Sequence, residues 1–314
     1  MQATLNQIAR FRGVGLHSGA SARLAINPAP ENHGIVFRRT DLPGRPTIPA
    51  LWDRVVPTPL CTRLQGEDGV TISTIEHVMA ALAGTGVHNA LIDLDGPEVP
   101  ILDGSAQPFV EGILDAGIRR QSAPLRVIRV LRPVTVSEGG ATETLEPADQ
   151  LEIDFSIDFT EPAIGRQHKR LDMVNGRFVS ELMDSRTFCR QADVAAMQSR
   201  GQALGGTYFN AVVVDGARVL TPGGLRHADE PVRHKMLDAM GDLALAGAPL
   251  LGRLTANRGG HALTNRLLRA LFADPEAYAW EVCAPALTSR LPGAGLDLHP
   301  VPSASQGLRA LATA

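Results

Sequence analysis

The chain lacks the features that would tie it to an extracellular, membrane or nucleic-acid setting. Its three cysteines, Cys61, Cys189 and Cys283, are odd in number and far apart. They provide neither a disulfide framework nor a CxxC zinc knuckle, which suits a reducing compartment. There is no excess of positive charge: 30 Lys and Arg face 33 Asp and Glu, a net charge of -3, so the basic footprint of a nucleic-acid partner is missing. No apolar run approaches the roughly 18 residues of a membrane span, and Met1 to Arg12 lacks the apolar core of a signal peptide. These absences leave a cytoplasmic protein with no nucleic acid and no membrane span among its attributes. What is present is globular, with 44% hydrophobic and 20% charged residues over 314 positions, enough chain for two domains with ample core.

Strand and helix patterns are grouped within each half of the chain. Strands are expected at Thr4 to Ile26 around the glycine-rich turn Gly13 to Gly19, at Ile35 to Arg38, at Leu60 to Leu64 and at Asn89 to Leu94. Helices are expected from Ile75, where Ile75, Val78, Met79 and Leu82 form a stripe ended by Gly84 or Gly86, and from Ala106 to Ala116. Arg119 to Pro124 is polar and aperiodic. The second half resumes with strands at Arg126 to Val136 and Leu151 to Phe159, the latter alternating strictly between apolar and polar residues. Helices near Phe178 to Met183 and Gln191 to Ser199 follow, then strands at Ala211 to Val214 and Leu251 to Ala256, and a helix opened by Gly259-Gly260-His261. The expectation is α+β, in two domains of mostly antiparallel sheet layered against helices, with small insertions and the active site between them. Residues 1–122 form the first domain, 123–300 the second, and 301–314 a tail.

Three segments carry candidate chemistry. In the helix opened by Asp229, Glu230 and Pro231, His234, Asp238 and Asp242 recur every four residues and so share one face, about 6 Å apart along the axis. An imidazole and a carboxylate so spaced can grip one divalent cation, although the same spacing also makes an ordinary surface ion pair. Glu76-His77, at another helix start, could present a ligand beside a base, or Glu76 could close a capping box with Ser73. His261 follows two glycines at a third helix start, where it could act chemically or serve as a cap. Two histidines and a carboxylate suit hydrolytic zinc, and equally iron(II) oxygen chemistry.

The chain order and wording of these blocks resemble the zinc-dependent UDP-3-O-acyl-N-acetylglucosamine deacetylases of lipid A biosynthesis. The resemblance rests on Gly13-Val14-Gly15-Leu16-His17, Ser73-Thr74-Ile75-Glu76-His77, Asp103-Gly104-Ser105-Ala106 and Arg186-Thr187-Phe188. It also rests on Val232 to Asp238 and Gly260-His261-Ala262-Leu263, so it spans about residues 5 to 272. It implies hydrolysis of the N-acetyl group of a small-molecule substrate, a UDP-linked acylated glucosamine, with release of acetate. One Zn2+ per chain would be held by His77, His234 and Asp238. Glu76 would be the general base, His261 the general acid, Asp242 its carboxylate partner, Thr187 an oxyanion donor and Lys235 a substrate contact. Arg258 would meet the diphosphate and Phe159 the uridine. Leu16, Phe188, Val194 and Met197 would line an acyl passage beside the insertion at about 189–218. The resemblance has departures: Cys189 and Arg190 follow Arg-Thr-Phe where Gly and Phe are common, which bears on the acyl passage and not on the metal chemistry. The chain is expected to act as a monomer.

Overall fold

The structure is a computed structural model that describes residues 1–296; the expected tail, 301–314, and the last residues assigned to the second domain lie outside them. The fold is α+β. A five-stranded sheet runs in the order Ala9–Val14, Ser21–Pro28, Ala90–Leu94, Ile35–Arg39, Thr47–Pro49. A seven-stranded sheet is built around Leu250–Asn257 from strands after residue 125. No sheet among the described residues mixes strands from before 121 and after 125. Most pairings are antiparallel, but Ile35–Arg39 runs parallel to Ala90–Leu94, and Leu250–Asn257 runs parallel to two neighbours.

Five longer helices are α1 (Glu76–Thr85), α2 (Gln107–Ala116), α3 (Gln191–Ser199), α4 (Glu230–Ala244) and α5 (His261–Ala273). Helices α1 and α4 pack on each other, and one core cluster joins the halves through such residues as Met79, Leu82, Met240 and Leu243. The expected apolar stripe of α1 understates its burial. Nearly every residue from Glu76 to Thr85 is inside, as befits a helix enclosed on all sides. It ends at Gly86, whose φ of 75° suits glycine and whose N–H closes onto Ala83 and Leu82 carbonyls.

Several expectations are corrected. Ile118–Arg120 is a strand paired with Ala3–Leu5, so the polar stretch read as aperiodic from Arg119 begins in a strand; three residues are too few to show a period. Arg126 to Val136 is two strands, Arg126–Val130 and Val134–Glu138, divided at Pro133, which has no N–H for a ladder. The second pairs with Ala141–Pro147, so that Glu138 opposite Ala141 leaves only Gly139 and Gly140 in the turn. Both have positive φ, 56° and 83°, the condition for a primed hairpin turn. Leu60 to Leu64 shortens and shifts to Arg63–Gln65, and the strand Arg166–Asp172, with little apolar alternation, was not expected.

Candidate functional site

The site begins where α1 meets α4. A Cβ at Gly241 would lie 2.0 Å from the Glu76 carbonyl oxygen, so glycine there lets the two backbones touch. This brings the first turn of α1 against the middle of α4. His77 Nε2 lies 3.6 Å from Asp238 Oδ1, and His234 Nε2 lies 3.3 Å from the same atom. The imidazoles meet edge to face with centroids 5.1 Å apart, and one ligand atom from each residue falls within 4.8 Å of the others. All three residues are buried, which removes the solvated surface pair as an account of the i,i+4 spacing.

The donor set fits a metal ion. Asp238 Oδ1 is buried without a hydrogen-bond partner, an orphan that a cation between the imidazoles would satisfy. The Nδ1–H of His234 donates to the Ser185 carbonyl at 3.0 Å, leaving the Nε2 lone pair for the shared point. Burial, with the neighbouring His77 and Lys235, pushes His234 down to about 4, so the ring stays neutral as a ligand must. Burial opposes the charge on Asp238, but His234, Lys235 and His77 outweigh it and hold the carboxylate well below its usual range.

Glu76 and His261 flank this trio. The capping box is not formed: Ser73 sits in a strand, and Glu76 Oε2 accepts from the Thr62 N–H at 3.0 Å. Burial raises Glu76 above the ordinary glutamate value, so this carboxylate binds a proton more readily than an exposed one. His261 Nε2 lies 3.9 Å from Glu76 Oε1, and its Nδ1 lies 2.7 Å from Asp242 Oδ2. Burial pulls His261 down most strongly, yet Asp242, Glu76 and Asp238 together raise it to about 9. The helix-start position alone would have depressed it. Asp242 is itself held by the Thr62 hydroxyl at 2.5 Å. Lys235 Nζ donates to Asp238 Oδ2 at 2.8 Å; burial disfavours its charge, but Asp238, Asp242 and Glu76 raise its pKa overall.

These groups open onto one cleft of about 720 Å³. Leu16, Phe159, Thr187, Phe188, Met197, Lys235 and Arg258 line it with the trio, Glu76 and His261. Val194 does not line it, and Asp242 lies behind His261. Thr187 is half-buried, and its hydroxyl makes no hydrogen bond among the described residues. Phe159 follows its strand, packs half-buried against the core and meets Phe188 edge to face at 5.3 Å on the cleft. Arg258 is tied to Asp158 at 2.7 Å and, with φ 56°, stands in a backbone region rare for a non-glycine. Arg190, also on the cleft, is held by Asp193 and Glu161. Cys61 is buried and its thiol is pushed up to about 12, chiefly by burial and then by Glu76. A second cavity, about 350 Å³, shares no lining residue with the cleft and holds none of the trio.

Sequence reading missed the supports. Thr62 grips both Glu76 and Asp242, and Ser185 orients His234 through its carbonyl, which no side-chain pattern announces. Arg186 forms a buried pair with Glu230, Nε to Oε1 at 2.8 Å, fixing the segment before Thr187 to the start of α4. Its place in the Arg-Thr-Phe block and the acid opening α4 were the available signals.

The sequence matches the family described as LpxC: UDP-3-O-acyl N-acetylglycosamine deacetylase over residues 2–273. It is 48% identical over 295 residues to the UDP-3-O-acyl-N-acetylglucosamine deacetylase of Myxococcus xanthus (strain DK1622), covering 94% of this chain and 93% of the relative. Proteins of the same name from Shewanella sp. (strain W3-18-1) and Shewanella baltica (strain OS155 / ATCC BAA-1091) are 47% identical over 283 residues, 90% of this chain and 92% of theirs.

Proposed function

Since the chain belongs to the UDP-3-O-acyl-N-acetylglucosamine deacetylase family, we propose that it is a zinc-dependent hydrolase of the N-acetyl group of UDP-3-O-acyl-N-acetylglucosamine. The product acetate leaves at an early step of lipid A biosynthesis, in the cytoplasm; no helix among the described residues is long and apolar enough to cross a membrane. The observation that carries this reading is the convergence of His77, His234 and Asp238 ligand atoms within 4.8 Å, with Glu76 and His261 on the same cleft.

One Zn2+ would be held by His77, His234 and Asp238. What zinc supplies on such a donor set is Lewis acidity, toward water and toward a carbonyl oxygen. The remaining work falls to side chains. Glu76, its basicity raised by burial, takes the proton of the attacking water, a role worth about 10²–10⁴-fold. His261, kept cationic by Asp242, donates a proton to the departing amine nitrogen. The free hydroxyl of Thr187 and the ammonium of Lys235 face the oxygen on which negative charge builds. Arg258 meets the diphosphate by exchanging Asp158 for it, Phe159 with Phe188 takes the uracil face, and Leu16 and Met197 with Val194 nearby border the acyl chain. The chain acts as a monomer in this reading. Mass spectrometry of UDP-linked acylated N-acetylglucosamine incubated with zinc-loaded protein tests it: one acetyl group is lost. An unchanged substrate mass, with zinc bound, overturns it.

A further inference from the structure

Glu143 stands on the strand Ala141–Pro147 and is fully buried, yet none of the chemistry above uses it. Its Oε1 accepts from the Gly260 N–H at 3.1 Å and from the Thr264 hydroxyl at 3.1 Å. Its Oε2 is buried without a partner. Gly260 immediately precedes α5, and no side chain of α5's own N-cap position closes that helix start. A carboxyl from another element therefore does the capping, at the end of the helix where an acceptor is most stabilising.

The two glycines are shaped by this carboxyl. A Cβ at Gly259 would lie 2.2 Å from Glu143 Oε1. Gly259 is not among the positive-φ glycines, and Gly260, at φ 179°, is extended. Neither needs glycine for its backbone conformation. Gly259 is small because Glu143 comes in against it. The residue that leaves this turn is His261, whose Nδ1 must meet Asp242 at 2.7 Å while its Nε2 faces the cleft.

We propose that Glu143 is a positioning residue for His261, capping α5 across the sheet and moulding the Gly259–Gly260 turn that aims the imidazole. Burial pushes Glu143 up to about 7 against the opposing bonds from Thr264 and Gly260, so a neutral acceptor of the same shape should serve as well as the carboxylate.

The test compares the full-length, zinc-loaded parent with E143Q, E143A and G259A. Its readouts are amide hydrogen exchange in residues 258–264 and kcat and KM for UDP-linked acylated N-acetylglucosamine. E143A should exchange faster at the turn and lose about 10- to 100-fold in kcat, the size of effect expected from a misplaced catalytic group, with KM within about twofold. E143Q should keep both the protection and the rate, and G259A should resemble E143A. Unchanged exchange and kcat in E143A overturn the proposal, as does an E143Q as damaged as E143A. Should E143A fail to fold, E143Q and G259A decide it: a protected turn and full kcat in G259A sink it. The kcat arm rests on the deacetylase reading and the exchange arm does not. A parent without deacetylase activity would therefore count against that reading, while the exchange data alone judged Glu143.

Discussion

The two walls of the cleft are built on opposite principles. On the α1–α4 wall, Glu76, His77, His234, Asp238 and Asp242 are each 3 to 4% exposed, with Glu76 held by Thr62, His234 by Ser185, Asp238 by Lys235, and Asp242 by Thr62 and His261. On the facing wall, the Arg190 and Arg258 side chains are 41% and 52% exposed, and their nearest carboxylates, Asp193 and Asp158, are about as open, with only Glu161 more enclosed. Burying a charge costs several kcal/mol unless geometry is fixed, so the first wall tolerates few arrangements. An exposed pair contributes about 0–1 kcal/mol, so the second can exchange its partners for a substrate's charges. One wall is built to hold a reaction geometry, the other to let a ligand compete.

The largest effect should come from breaking the first wall at its base. Glu76→Gln keeps the shape and the acceptor for Thr62 but removes the basic carboxylate. Turnover should fall about 10²–10⁴-fold while elemental analysis still finds one zinc per chain. His234→Ala should instead lose most of the metal, and His261→Ala should keep it. Equal metal loss from the last two would undo the assignment of ligands and acid.

Acid should separate loss of fold from loss of chemistry on this wall. His88 lies just beyond the far end of α1, half-buried, with Nδ1 shut away unpartnered, and burial pushes it down to about 4. Its folded pKa is depressed below the unfolded value near 6.5, so the unfolded chain binds the extra proton first. The stability this neutral ring contributes is fully present above about pH 6.5 and is lost as pH falls toward 4, up to about 3 kcal/mol. Urea unfolding of the parent and H88N at pH 7 and 4.5 measures it. A parent that loses no more than H88N over that interval refutes the assignment.

How much of this was legible follows the same division. Helical spacing made His234, Asp238 and Asp242 visible because buried groups on one helix must recur with its turn. The adjacency of Glu76 and His77 was visible too, although whether Glu76 faced Ser73 or the cleft was not. That depended on Thr62, which sits in a loop just before the short strand Arg63–Gln65 and has no pattern of its own. Glu143 was hidden for a related reason: its hairpin turn is announced by Gly139-Gly140, but its contact lies more than a hundred residues away in sequence. The wall of Arg190 and Arg258 drew attention only through resemblance, since exposed arginines carry no periodicity.

A smaller effect should follow from wedging the first wall apart. Gly241→Ala places a methyl group 2.0 Å from the Glu76 carbonyl oxygen, and the obstacle is backbone, not a side chain that can swing aside. Overpacking of this kind costs about 1–3 kcal/mol, and moving α1 off α4 carries His77 away from His234 and Asp238. Thermal unfolding and zinc affinity should both decline in G241A, whereas at Gly223, where an added Cβ meets nothing within 4 Å, crowding cannot be the cause of any change. Wild-type zinc affinity in G241A would show that the helix contact is not what sets the ligand spacing.

The smallest effect on the fold belongs to Arg190, and it sharpens the contrast most. Its guanidinium lies 2.5 Å from Asp193 and 3.4 Å from Glu161, half in solvent, so Arg190→Ala should change unfolding free energy by less than about 1 kcal/mol. The same side chain borders the part of the cleft shared with Phe188 and Met197, where a charged fork occupies space an acyl tail could use. Replacing it with phenylalanine exchanges that fork for apolar surface. Each methylene newly buried there is worth about 0.8 kcal/mol, roughly fourfold in kcat/KM. R190F should therefore shift the ratio of kcat/KM between two substrates differing by two methylenes toward the longer one, without altering zinc content. A ratio identical to the parent's would place the acyl chain elsewhere and leave Arg190 a surface ion pair, while a change in zinc content would mean that the two walls are not independent.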